Sequence, residues 1–258
     1  MDNVEKIDIK FENEPKVGIV ITTDSKTKAK DILSTIDSMS RNFVFTGYSV
    51  CVCIIDMDQN EVKKLKANKN IKGNKRFMFA NYKGKSKAHA INNCVRTKLP
   101  EETEILMLCE PGIRFENDVL SLLTYIIVEY IDTIGVVGCR IMKNNGLIHN
   151  VGLYVNERME FGPMMANEPF EKEKYDGKNM FKVDGIPNIM LMTPKAYFSA
   201  MNGVDEYRDD VFIGIDLSTR MSTMGKTNYV ITDGVCTYDD GIKADFSAFE
   251  SSKTKKNE

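Results

Sequence analysis

The feature that most constrains this sequence is a repeated alternation of short, continuous apolar runs, each ending at a polar residue, with segments that carry apolar residues at helical spacing. Val17 to Thr22 (VGIVIT) runs into Thr-Thr-Asp-Ser and reads as a strand buried on both faces, as in a parallel sheet. Ala29 to Met39 has helical periodicity, and Tyr48 to Ile55 (YSVCVCII) is a second buried strand that stops at Asp56. A helix from about Glu61, a strand near Arg76 to Phe79, a helix from Lys87 to Val95 and a strand from Glu104 to Leu108 continue the pattern. Strand, helix, strand in this order implies right-handed crossovers and an α/β fold, with a mostly parallel central sheet flanked by helices.

The second half keeps the alternation but adds irregular stretches. A helix is expected over Asn117 to Tyr130 and a strand over Ile134 to Met142. An Asn144-Asn145-Gly146 turn then leads into Leu147 to Val155 as a β-hairpin. Asn156 to Lys182 is polar, Met-rich and without period, a length of loop that reads as a lid or acceptor loop. Ile186 to Thr193 reads as a strand, Pro194 to Met201 as a helix, Leu217 to Met224 as a helix and Tyr229 to Thr232 as a late strand. One domain over residues 1–250 is expected, with a disordered Lys- and Ser-rich tail at 251–258. The sequence has no internal repeat.

Composition narrows the class. The chain has 258 residues, 42% hydrophobic and 28% charged, values that fit a globular domain and not a disordered or collagen-like chain. A net charge of -2 gives no general attraction to nucleic acid or anionic lipid. Met1 to Pro15 lacks the basic start and apolar run of an export signal, and the apolar stretch Val119 to Val128 is too short to span a bilayer, so a soluble, cytoplasmic protein is expected. The six cysteines mostly lie in apolar runs, as buried thiols do in reducing compartments. Cys51 and Cys53 share a strand face, with no second close pair to complete a zinc site, and read as core.

In a doubly wound sheet, ligands collect beyond the carboxyl ends of the strands. That places Thr23, Asp24, Asp56 and the loop Cys109-Glu110-Pro111-Gly112 on one rim. No G-x-G-x-x-G follows the first strand and no G-x-x-x-x-G-K-[ST] occurs, so dinucleotide and P-loop readings have no support. A sugar nucleotidyltransferase would need a glycine-rich basic loop after the first strand, and Thr22 to Lys28 contains no glycine.

Four segments between Val17 and Asp240 carry a resemblance. Val20-Ile21-Thr22-Thr23-Asp24 is similar to V-I-P-T-Y, and Ile54-Ile55-Asp56 to V-V-D. Ser86-Lys87-Ala88-His89-Ala90-Ile91-Asn92 is similar to a G-K-A-x-A-L-N helix start. Gly203 to Arg220 (GVDEYRDDVFIGIDLSTR) aligns without a gap onto G-F-D-E-x-F-x-x-Y-F-E-D-x-D-L-x-x-R, with Gly203, Asp205, Glu206, Phe212, Asp216, Leu217 and Arg220 on pattern. Ile134 to Leu153 adds a fifth likeness, which brings His149 near the pattern's histidine. Together these resemble glycosyltransferase family 2, a resemblance that implies a single domain of GT-A fold. The implied activity is a hexosyl-type transfer, with inversion, from a nucleoside diphosphate sugar such as a UDP-sugar to an acceptor hydroxyl of a glycan, protein, small molecule or nucleic acid.

The same resemblance implies the site. Thr23 and Asp56 would hold the nucleoside and Lys87 and Glu110 the diphosphate, with Thr22 and Asp24 also binding the donor. Glu110 and Asp239 would ligate a Mn2+ or Mg2+ ion, and Asp209, Asp210 or Asp216 would act as base, Asp216 being the first candidate. Each residue also has a plainer reading. Asp56 can be a turn former, Lys87 one of a solvated group with Lys83 and Lys85, His149 a packed strand residue and Asp216 a helix cap. The chain departs from the family pattern twice. The loop after Leu108 reads Cys-Glu-Pro-Gly where the family has D-x-D, and the family's E-D pair falls on Ile213-Gly214. Either the site is rebuilt and active, or the fold persists as a module that binds a nucleotide-sugar or a protein partner.

Overall fold

The computed structural model describes residues 11, 13–157, 160–171 and 179–238. The first half is a strict alternation: β1 (Val17–Thr22), α1 (Ala29–Asn42), β2 (Tyr48–Ile55), α2 (Gln59–Ala67), β3 (Phe77–Tyr82), α3 (Lys87–Thr97) and β4 (Ile105–Cys109). There follow β5 (Arg114–Phe115), α4 (Val119–Glu129), β6 (Ile134–Met142), β7 (Ile148–Asn150), β8 (Leu153–Val155), β9 (Phe161–Pro163) and β10 (Met180–Val183). The last elements are β11 (Met190–Pro194), α5 (Lys195–Ala200), α6 (Ile213–Thr223) and β12 (Thr227–Thr237).

The main sheet runs β10-β12-β6-β11-β4-β1-β2-β3. Strands β1 to β4 pair in parallel, as do β6 and β12, while β11 and β10 run antiparallel to their neighbours. The chain steps outward from β1 to β2 and β3, then returns to place β4 on the other side of β1. This reversal makes the carboxyl end of β1 a topological switch point, the place where open α/β sheets generally bind their ligands.

Two apolar layers hold the sheet. Val17, Ile19 and Ile21 of β1 face α1, α2 and α4 together with Val50, Val52, Ile54, Ile105 and Met107. The alternate residues Val20, Cys51, Cys53, Leu106 and Leu108 face Ile91, Cys94 and Val95 of α3 and Leu217 and Met221 of α6. A strand covered on both sides has no polar face, which explains the continuous runs of β1, β2 and β4. Each fully buried Ile, Leu or Val contributes about 1.5–3 kcal/mol.

Several boundaries differ from the sequence reading. Leu147 to Val155 is not one hairpin arm: β7 pairs with β6, and β8 leaves to pair with β9 in a separate two-stranded sheet. The expected strand over Ile186 to Thr193 starts only at Met190, because the Ile186 N–H is taken by Ser218 Oγ and the Ile186–Asn188 backbone lies against α6. Helix α6 begins at Ile213, four residues before expectation, after a 3-10 turn at Asp210–Phe212. Strand β12 extends to Thr237 because β6 and β5 both pair with it. No helix among the described residues is long and apolar enough to cross a membrane. The expected tail at 251–258 and part of the 156–182 loop lie outside the described residues.

Candidate functional site

Among the described residues, Glu110 and Asp216 are the buried charged side chains, 6% and 7% exposed. A buried carboxylate persists only where partners replace its water, so each marks a built environment. Glu110 stands at the end of β4, with its backbone N–H donating to the Ile189 carbonyl of the neighbouring β11 approach. Its Oε2 accepts from Lys87 Nζ at 2.6 Å and its Oε1 from Asn188 Nδ2 at 3.0 Å. Burial pushes the Glu110 carboxyl above its ordinary value. The Lys87 ammonium opposes that rise, and nearby Asp24 and Asp210 add to it.

Lys87 is the first residue of α3, which Ser86 caps by accepting from the His89 N–H at 3.1 Å. Asp210 reaches the same helix end, its Oδ1 accepting from the Ala88 N–H at 3.3 Å, and its carbonyl accepts from Asn188. Asp24 lies in the loop after β1, where Oδ1 accepts from the N–H groups of Lys26 and Thr27 and from the Thr27 hydroxyl. Burial works against its ionisation. The Thr27 hydroxyl, the Lys26 N–H, the Lys87 charge and the Thr27 N–H together outweigh that and hold its carboxyl below the ordinary 3.8.

Asp56 ends β2 in the left-handed region, with φ of 48°, and both its carboxylate oxygens accept from the Gly84 N–H at 3.0 Å. Gly84 itself has φ of 60°, which a glycine adopts without strain. This bond draws the loop after β3 across the end of β2. With β1 between them, Asp56 and Glu110 are two strand spacings apart, about 10 Å in the sheet direction.

The structure therefore brings Asp24, Lys87, Glu110 and Asp210 together, places Asp56 beside them on the same rim, and reassigns the others. Thr22 and Thr23 are 5% and 0% exposed, and Thr23 Oγ1 accepts from the Ile55 N–H at 2.9 Å, so the Thr23 hydroxyl ties β1 to the end of β2 and both side chains are buried away from the open rim. Asp216 lies between two guanidiniums: Oδ1 is 3.4 Å from Arg208 Nε, and Oδ2 is held by Arg220. Arg220 also donates to the carbonyls of Met201 and Gly203, so Asp216 orients an arginine that ties α6 to the preceding loop. Nor is Asp216 a helix cap, since α6 already begins three residues earlier. His149 packs edge-on against Tyr238 and lies 2.8 Å from Asn150 Nδ2. Asp239 lies outside the described residues.

Two resembling segments meet in space for a structural reason. Asn92 of α3 accepts from the Val204 N–H and donates to the Val204 carbonyl and to Glu206, and His89 Nδ1 lies 2.8 Å from Glu206. The sequence reading missed Asn188. Its amide carries no charge and precedes an antiparallel strand 78 residues away from Glu110, so no local pattern marked it.

Gly214 stands where the family resemblance places an acidic residue. A Cβ at this position would lie 2.2 Å from the Ile186 carbonyl oxygen and 2.7 Å from the Asn188 nitrogen. Main chain fills the room that a side chain would need.

A hard divalent ion takes several oxygen ligands. Among the described residues, the one group of three potential ligands within 4.8 Å of one another is the buried trio Cys51, Cys53 and Cys94, away from the rim. Cys53 Sγ donates to the Ala90 carbonyl at 3.8 Å, as a neutral core thiol does. Both Glu110 oxygens accept hydrogen bonds within the protein, and Asp239, the metal ligand expected beside it, lies outside the described residues.

No protein-family model matches this sequence, and no curated protein sequence matches it significantly. Solved structures do match. A crystal structure of GalNAc-T7 with UDP, GalNAc and Mn2+ superposes with a TM-score of 0.69 at 9% identity, over 89% of this chain and 44% of that one. The mannosyltransferase PcManGT from Pyrobaculum calidifontis, in complex with GDP-Man and Mn2+, gives 0.59 at 14% identity, over 95% of this chain and 62% of that one. The fold is that of the GT-A glycosyltransferases, and the chain spans roughly half of each of these longer proteins.

Proposed function

We propose that this chain is a nucleotide-sugar transferase domain that holds a nucleoside diphosphate sugar on the rim formed by the ends of β1, β2 and β4. The observation that carries the reading is the pairing of half-buried Lys87 with buried Glu110 at the switch point of a GT-A sheet. In this reading the exposed Asp56 carboxylate accepts hydrogen bonds from the base or ribose, and Lys87, at a helix N-terminus, faces the diphosphate. Asp24 orients the loop between them. UDP and GDP sugars are the first donors to test, since the similar structures hold UDP or GDP-Man.

Transfer forms a bond from the acceptor oxygen to the anomeric carbon while the bond from that carbon to the phosphate oxygen breaks. The nucleoside diphosphate leaves with the bonding pair, and attack from the opposite face inverts the centre. The hydroxyl proton needs a carboxylate within reach. Asp210 is the candidate, because Asp216 is already committed to Arg208 and Arg220.

A second reading is favoured by one observation, the closed space at Gly214: the domain binds a nucleotide-sugar without transferring it. A melting-temperature panel of nucleoside diphosphate sugars, followed by assays of donor hydrolysis on each hit, separates the two. Stabilisation with turnover is the expected result. Stabilisation without turnover selects the binding module, and a panel in which no nucleotide raises the melting temperature overturns both.

A further inference from the structure

We propose that lysines of the loop entering α3, Lys83 and Lys85 with Lys87, take the place of a divalent cation, so that the donor diphosphate is held without metal. This rests on the donor-site reading above. The described carboxylates of the rim each accept hydrogen bonds from groups of the protein itself. Glu110 is shared by Lys87 and Asn188, Asp24 by the Lys26 and Thr27 groups, Asp210 by the Ala88 N–H, and Asp56 by the Gly84 N–H. At Glu110 a cation would have to share its carboxylate with the Lys87 ammonium 2.6 Å away, so like charges would meet at the most buried acid of the rim.

The positive charge that a diphosphate requires is present in another form. The loop leaves β3 after Tyr82 and enters α3 at Lys87, and the Asp56–Gly84 bonds pin its middle across the end of β2. Lys83 and Lys85 flank the pinned residue and are exposed, and Lys87 reaches the end of β4. Two ammonium groups carry the charge of one divalent ion. Spread over a loop they also neutralise a diphosphate along its length. The helix dipole at the start of α3 acts in the same direction.

The test is calorimetric titration of the whole chain with UDP and GDP, in EDTA and in Mn2+. The preferred nucleotide is expected to bind with the same affinity, within about twofold, in both buffers, and more weakly as salt is raised. The double substitution Lys83→Met with Lys85→Met, at exposed positions that leave the core untouched, is expected to weaken diphosphate binding about tenfold in EDTA while leaving affinity for the uncharged nucleoside unchanged. Binding seen only with Mn2+, or a double variant that binds UDP or GDP in EDTA as tightly as the parent, overturns the inference and leaves the donor site standing. Failure of every nucleotide in both buffers removes the donor site, and the inference falls with it.

Discussion

Asp24 and Glu110 flank the same lysine, yet their carboxyls are displaced in opposite directions, Asp24 downward and Glu110 upward. The difference lies in what replaces water: four donors or charges around Asp24, against full burial with one ammonium for Glu110. Because the folded value of Asp24 is lowered, its contribution to stability is present above 3.8 and is lost as the pH falls through the lowered folded value. Urea unfolding of the parent and of Asp24→Asn across pH is expected to show a margin that is greatest near neutrality and shrinks in acid. A margin that stays constant to about pH 3 would contradict this assignment. Asp56→Ala is expected to weaken donor binding by about tenfold; unchanged affinity in a titration would remove its nucleoside role. Asp56 and Glu110 were legible as rim residues because periodicity fixes where a parallel strand stops, whereas Lys87, at the start of α3, came only from the resemblance of its helix start. Thr23 was misread, since nothing in its neighbourhood reveals that its hydroxyl is spent on Ile55.

At the scale of elements, α6 shows how tertiary contact can overrule propensity. An exposed glycine in a helix interior costs roughly 1 kcal/mol relative to alanine, so Gly214→Ala would ordinarily stabilise. Here the added carbon meets the Ile186 carbonyl at 2.2 Å, and overpacking of this kind costs about 1–3 kcal/mol. Gly214→Ala is therefore expected to lower the midpoint of urea unfolding, and an unchanged or raised midpoint would refute the close approach. Strands β1, β2 and β4 were legible to within a few residues because each is covered on both faces and reads as an unbroken apolar run. The second half was less so. There the strands other than β6 and β12 are short, and β7 and β8 separate because β7 pairs back onto β6 while β8 pairs forward onto β9.

For the molecule as a whole, the two apolar layers enclose all six cysteines, three of which, Cys51, Cys53 and Cys94, converge on one side of the sheet. The spacing of the first two announced a shared face, but the arrival of Cys94 depends on how α3 docks. A thiol-specific reagent added to the native protein is expected to label none of the six, and to label all of them after unfolding; rapid labelling without denaturant would mean that the layers open far more readily than their packing implies. The contact at Gly214 also limits what this position can become. Since a neighbouring peptide unit already stands where a side chain would begin, placing an acid there requires retreat of one segment before growth of the other. A single-letter change is therefore penalised at this position, and any new reactivity on this rim is more readily built from other residues.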